Sequence, residues 1–226
     1  MTQYLYLHGF ASGPESQKAR ALAMRFRAQG LRLEIPDLNQ GDFSHLTLSR
    51  QIHQGVELVM AQAQPTVLIG SSLGGLTAAW VAQTLHRQQQ REKILQLVLL
   101  APAFGFLDQW WPQLGPDQQD RWRRQGYLPI YHHTARQPLP LHYGFITDAQ
   151  TYRDQDLQAP VSTLILHGQQ DQVINIGFSR AYAADRPWVT LVELDDDHSL
   201  LRVEASLWRH TWEFLRSPPG TLPVAE

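Results

Sequence analysis

Apolar positions along the chain fall into two kinds of pattern. Short, nearly unbroken apolar runs occupy residues 4–7, 31–35, 66–69, 95–100, 162–166 and 189–194, the lengths expected of strands buried on both faces. Between most of them, apolar side chains recur every three to four positions, over residues 16–28, 46–62, 73–86, 176–184 and 204–215, which predicts amphipathic helices. Strand alternating with helix predicts an α/β fold, with about six mostly parallel strands and helices on both faces of the sheet.

One interval breaks the rhythm. From residue 103 to 160 the chain passes between two predicted strands with far more residues than a crossover helix needs. The segment is rich in proline, histidine and aromatic side chains, among them Trp110, Trp111, Trp122, Tyr143 and Phe145. The expectation is one domain over residues 1–226 with a lid-like insertion at 103–160, set before the penultimate strand. Residues 217–226, with Pro218, Pro219 and Gly220, read as a frayed terminus.

Composition narrows the function classes. With 43% apolar and 18% charged residues, the 226-residue chain reads as an ordinary packed domain. A formal net charge of -2, with no basic run beyond the short cluster at 121–124, argues against nucleic acid or an acidic membrane as partner. The absence of cysteine excludes disulfides, zinc-thiolate sites and a thiol nucleophile. No apolar run approaches the roughly 20 residues of a spanning helix. The first residues carry neither a basic stretch nor an export-length apolar run, so cytoplasmic residence is expected. Histidines are scattered, and His132 and His133 are adjacent rather than four apart, so no metal is expected. Neither a phosphate-binding loop nor a dinucleotide glycine pattern is present, so no cofactor is expected either.

The strongest chemical signal is Ile69-Gly70-Ser71-Ser72-Leu73-Gly74-Gly75, which follows an apolar strand and opens an amphipathic helix. It fits Gly-x-Ser-x-Gly around Ser72, a spacing that puts a nucleophile on a sharp strand-to-helix turn where side chains at Gly70 and Gly74 would crowd the backbone. Ser71 fails the same test, being flanked two residues away by Ile69 and Leu73. A pattern with three fixed positions also arises by chance, so its partners decide. A serine hydroxyl needs a base, and the order Ser, acid, His is met by Asp171, just past the run at 162–166, and His198, just past the run at 189–194. An Asp in such a loop is often a helix cap and a loop His often surface, but their joint placement after successive strands favours a catalytic set of Ser72, Asp171 and His198. Asp195, Asp196 and Asp197 read as a solvated turn, too near His198 in sequence to orient its ring.

Two backbone donors are then required for a developing oxyanion. Leu73 N–H is the first and Phe10 N–H, in the loop after the first strand, the second. His8 reads as a structural hydrogen-bonder, and Ser12 and Ser16 as caps for the following helix. Trp110 and Trp111 are candidates for substrate contact from the lid, with core anchoring an equal alternative.

These motifs identify a resemblance to the α/β-hydrolase superfamily and, within it, to the small YqiA/YcfP-type esterases. It spans most of the chain and is sharpest at His8-Gly9-Phe10 with Ser12 and Pro14, and at residues 70–75 with Trp80 on the helix behind. The resemblance implies a trimmed hydrolase fold and cofactor-free hydrolysis of carboxylic esters, with a small-molecule ester as substrate. A thioesterase is the nearest rival, and a non-catalytic ligand-binding protein of the same fold is the rival from another class.

Overall fold

The computed structural model of the chain describes residues 2–217, so the expected frayed end lies, from Pro218 onward, outside the described residues. Its main sheet has five strands, β1 (Gln3–Leu7), β2 (Thr66–Ser71), β3 (Ile94–Leu100), β6 (Thr163–Gly168) and β7 (Val189–Leu194), in the order β1-β2-β3-β6-β7. All four pairings are parallel. The apolar runs are continuous because both faces are covered. Leu5, Leu68, Leu97, Leu99 and Ile165 point into one core layer, while Tyr6, Val67, Ile69, Val98, Leu100, Leu164 and Leu166 point into the other.

Helices α1 (Gln17–Ala28) and α8 (Glu204–Arg216) close the second layer through Leu22, Phe26, Leu207 and Phe214. Helices α2 (Leu48–Met60), α3 (Leu73–Arg87) and α7 (Ile176–Ala184) contribute to the first. Ser16 caps α1 by accepting the Ala19 N–H, and Thr47 caps α2 by accepting that of Arg50.

One expected strand is corrected. Residues 31–35 make a single parallel bridge, Leu5 to Glu34, on the outer edge of β1. Tyr6 N–H donates to Glu34 O (2.8 Å) and Glu34 N–H to Tyr4 O (2.9 Å), but Pro36 follows and has no N–H with which to extend the ladder.

The segment between β3 and β6 has architecture of its own. It holds α4 (Phe106–Gln113), α5 (Gly115–Gln125), an antiparallel hairpin of β4 (Tyr127–His132) and β5 (Gln137–His142), and α6 (Gly144–Ala149). Its centre is the fully buried Trp122, whose indole N–H donates to Leu141 O at 2.9 Å and ties α5 to the hairpin. The rings of Trp110, Trp111 and Tyr143 lie 5.8, 6.3 and 5.9 Å from it.

Candidate active site

Parallel strands bring their C-terminal ends to one edge of the sheet, and the turns there carry the polar residues of the site. Ser72 follows β2 in a strained conformation, φ 54° and ψ −121°, while its N–H still bonds Leu100 O at 2.9 Å. The flanking glycines are required by space. A Cβ on Gly70 would sit 2.2 Å from Gly74 O, and one on Gly74 would sit 2.1 Å from Leu7 O. The backbone turn therefore folds tightly enough to lift the Ser72 hydroxyl off the sheet at the start of α3.

The three residues singled out in the sequence are brought together. His198 Nε2 lies 3.0 Å from Ser72 Oγ, and His198 Nδ1 lies 2.7 Å from Asp171 Oδ2. Asp171 is fully buried at its side chain, whereas His198 keeps 23% exposure. Burial alone would raise the Asp171 carboxyl. Hydrogen bonds from His167 and His198, the His198 charge and the backbone N–H of Ile174 outweigh it and hold the group below the ordinary carboxylate range. Asp171 Oδ1 accepts the Val173 and Ile174 N–H groups at 2.8 Å each, which fixes the plane of the carboxylate toward the imidazole.

His167 escapes a reading that looks for one base. It is fully buried at the end of β6, and its Nε2–H faces Asp171 Oδ2 and Ile174 O, both at 3.1 Å. With two acceptors at Nε2, the proton belongs there, and Nδ1 accepts from Ser179 Oγ at 2.8 Å. The signal available was a histidine at the strand end, four residues before the acid.

Lys18 is the other residue the motifs did not reveal. From α1 its Nζ donates to Ser71 Oγ at 2.9 Å, so Ser71 points to the opposite side of the turn from Ser72. Burial brings the Lys18 ammonium down to about 8, against the pull of Asp171, Asp196 and Asp197.

The acidic run before His198 is not the uniformly solvated turn expected. Asp196 is fully buried, with Oδ1 accepting from Arg202 Nε at 2.7 Å and from Asp197 N–H at 2.8 Å, and Oδ2 accepting the N–H groups of Arg202 and Val203. It pins the loop that delivers His198. Asp197 accepts from the N–H and hydroxyl of Ser199 and makes no bond to His198.

The loop after β1 lies against Ser72. A Cβ on Gly9 would meet Ser72 Cβ at 3.3 Å. Among the described residues, neither the Phe10 nor the Leu73 N–H donates to a protein acceptor. His8 is buried, its Nε2 accepting the Leu38 N–H at 2.9 Å and its Nδ1–H donating to Gly9 O at 3.0 Å. Burial holds this imidazole below its ordinary value despite Gly9 and Asp37.

Trp110 and Trp111 part company. Trp110 packs edge-on to Phe10 (5.6 Å) and Trp122 (5.8 Å) and beside Phe106 and Phe145, joining the insertion to the loop after β1. Trp111 lines a cavity of about 490 Å³, together with Leu76 and Ala103. Both of these neighbours donate their N–H to Ser72 O, at 3.1 and 3.0 Å. Among the described residues no helix is long and apolar enough to cross a membrane.

Comparison with known proteins agrees with the geometry at the level of fold. An α/β hydrolase domain-containing protein 10 from mouse superposes with a TM-score of 0.76 at 20% identity, covering 94% of this chain and 88% of that one. Est1E from Butyrivibrio proteoclasticus, solved with ferulic acid bound, gives 0.73 at 19% identity, with 96% and 90% covered. A monoacylglycerol lipase from Paleococcus ferrophilus gives 0.71 at 15%, with 94% and 93% covered. The fold is that of the α/β hydrolases. No curated protein sequence matches the chain. The profile of the uncharacterised protein family UPF0227 matches residues 3–215, and the chain belongs to that family, in agreement with the YqiA/YcfP-type resemblance.

Proposed function

For this member of UPF0227, we propose a serine hydrolase that cleaves carboxylic esters through an acyl-enzyme, with residues 103–160 as the cap of a single catalytic domain. The observation that carries the reading is the continuous relay from Asp171 Oδ2 through His198 to Ser72 Oγ, at 2.7 and 3.0 Å, ending on a half-buried hydroxyl. Names of structural neighbours, an esterase and a monoacylglycerol lipase among them, favour oxygen esters as substrates.

In this scheme Ser72 Oγ attacks the ester carbonyl while His198 Nε2 takes the hydroxyl proton. Asp171 holds the ring with Nδ1–H toward the carboxylate and stabilises the imidazolium. The carbonyl oxygen becomes an oxyanion held by the Phe10 and Leu73 N–H groups, which have no protein acceptor to give up. Collapse breaks the C–O bond, and His198 returns the proton to the departing alcohol. Water then attacks the acyl carbonyl and loses a proton to His198, and collapse breaks the Ser72 Oγ–acyl bond, releasing the acid while His198 returns the proton to Oγ. The cycle consumes only ester and water.

A fluorophosphonate probe tests the reading directly. The wild-type chain should be labelled at Ser72, identified by peptide mass, and Ser72→Ala should not be labelled. A wild-type chain that stays unlabelled overturns the proposal. Matched oxygen and sulfur esters then separate esterase from thioesterase by kcat/KM.

A further inference from the structure

The cavity lined by Trp111 has a chemical character beyond that of a greasy slot. At about 490 Å³ it lies in the size range of small-molecule pockets. Leu76 and Ala103, both bonded to the Ser72 carbonyl, place one wall against the Ser72 backbone. Four aromatic rings, those of Phe106, Trp111, Tyr152 and Phe178, line it, with the carboxylates of Asp108 and Asp154.

Asp154 is the decisive group. Its Oδ2 accepts the Gly105 N–H at 2.6 Å, but its Oδ1 has no partner among the described residues. Arg153, on the same wall, is engaged with Asp156. Arg186, the nearest buried cation, donates instead to Leu157 O and Tyr182 O. The lining therefore carries two carboxylates and no uncommitted cation. Burial, with Asp108 adding to it, pushes the Asp154 carboxyl up to about 6, against the Gly105 N–H and the Arg186 charge. At neutral pH it is still largely ionised. A half-satisfied carboxylate facing a cavity walled by aromatic rings is the set of groups that binds an alkylammonium, by a charge-assisted hydrogen bond and contact with ring faces.

We propose that this cavity receives one substituent of the substrate and selects a chain of a few carbons ending in a protonated amine, with Asp154 as the specificity-determining residue. The proposal rests on the esterase reading, since it assigns the cavity to the substrate of Ser72.

The test separates binding from turnover. Ser72→Ala protein titrated calorimetrically with hexylamine hydrochloride and with 1-hexanol at pH 7.5 should bind the ammonium about tenfold more tightly. Asp154→Asn, which keeps an acceptor for Gly105 N–H, should remove that preference and leave hexanol unchanged. Equal affinities, or a preference that survives Asp154→Asn, overturn the proposal. Should Asp154→Asn fail to fold, carbodiimide activation of the wild-type chain in hexylamine decides. Coupling should reach Asp154 ahead of the exposed Asp117 and Asp185, and coupling that spares Asp154 is equally fatal. Turnover is read in parallel on 6-aminohexyl acetate against hexyl acetate and on ethyl 6-aminohexanoate against ethyl hexanoate. Selective binding without hydrolysis of any ester retires the esterase reading and keeps the amine site. Hydrolysis without preference for an amine on either side retires the amine site alone.

Discussion

The turns at the ends of β2, β6 and β7 and the insertion at 103–160 are built by different means. In the turns the backbone itself sets geometry: Ser72 at φ 54°, the glycines at 70 and 74 with no room for a Cβ, and Asp171 locked by two N–H groups. In the insertion side chains set geometry. Trp122 gathers Trp110, Trp111 and Tyr143 around it, and the only regular pairing is an isolated two-stranded hairpin. A site whose atoms must be held to a few tenths of an ångström rests on the first kind of construction. The wall that Trp111 gives to its cavity is made by the second, where one substitution reshapes the wall without moving Ser72.

If that division is right, the largest effects belong to the turns and fall on activity rather than folding. Ser72→Ala should lower kcat on a chromogenic acetate by about four to six decades with an unchanged melting temperature. Ser71→Ala should keep activity within about tenfold, its cost being the lost acceptor of Lys18. Equal losses would mean that the turn does not discriminate the two hydroxyls. Next in size, Asp171→Asn should cost about 10⁴ in kcat, because an amide in place of the carboxylate leaves the His198 ring in the wrong tautomer. Asp197→Asn, confined to its bonds with Ser199, should cost less than about tenfold. A sensitive Asp197 would reassign the orienting acid.

The same division governs how much was legible in the sequence. Strand-end turns impose residue types at fixed spacing, so Gly70, Ser72 and Gly74 announce themselves, and Asp171 and His198 follow from their order after apolar runs. Lys18 stays hidden because it reaches Ser71 from α1 through a contact that no spacing rule encodes, and His167 leaves only the trace of a histidine at a strand end four residues before the acid. Asp196 was misread since three adjacent acids look solvated, whereas four donors converge on this one. The hairpin was invisible for a further reason. Pro129, Pro138 and Pro140 argue against strands, yet a two-stranded ribbon has two free edges and tolerates them. Residues 31–35 erred the other way, with strand-like composition but a proline just beyond the one bridge they form.

For the insertion, stability should be the sensitive readout. Trp122→Ala removes the largest fully buried side chain and its bond to Leu141 O, and should lower unfolding free energy by about 3 to 5 kcal/mol in denaturant titration. Activity should fall alike on all acyl chain lengths. Trp111→Ala, at a cavity wall, should cost less stability and change the ranking of substrates instead. If Trp111→Ala depresses every ester equally and melts the fold, the wall is an anchor and the contrast within the insertion disappears.

The smallest effect tests the seam where the two constructions meet. The hairpin end reaches the loop after β1: His133 N–H donates to Ala11 O at 2.8 Å, next to Phe10, and Ala11 is itself held at φ 49°. Beneath it, Asn39 Nδ2 donates to Ser12 O at 2.8 Å and lies 3.4 Å from His132 Nε2, while His132 Nδ1 accepts the Ala135 N–H. His132 is buried, and because Nδ1 accepts the Ala135 N–H, the single proton of the neutral imidazole sits on Nε2. Burial, together with the neighbouring His8 and His133, keeps its folded-state affinity for protons below the ordinary value, although Asp37 and the Ser12 backbone pull the other way. The unfolded chain therefore takes the proton first. Stability from this residue is complete above about pH 6.5 and is lost as pH falls below it. His132→Gln cannot titrate, so it should cost about 1 kcal/mol at pH 8, through the weakened hydrogen bonds, and progressively less as pH falls below about 6.5. Parallel unfolding curves for the two proteins from pH 8 to pH 5 would show that the seam carries no proton linkage. A narrowing gap would show that His132 stabilises the junction between hairpin and loop only while its imidazole is neutral.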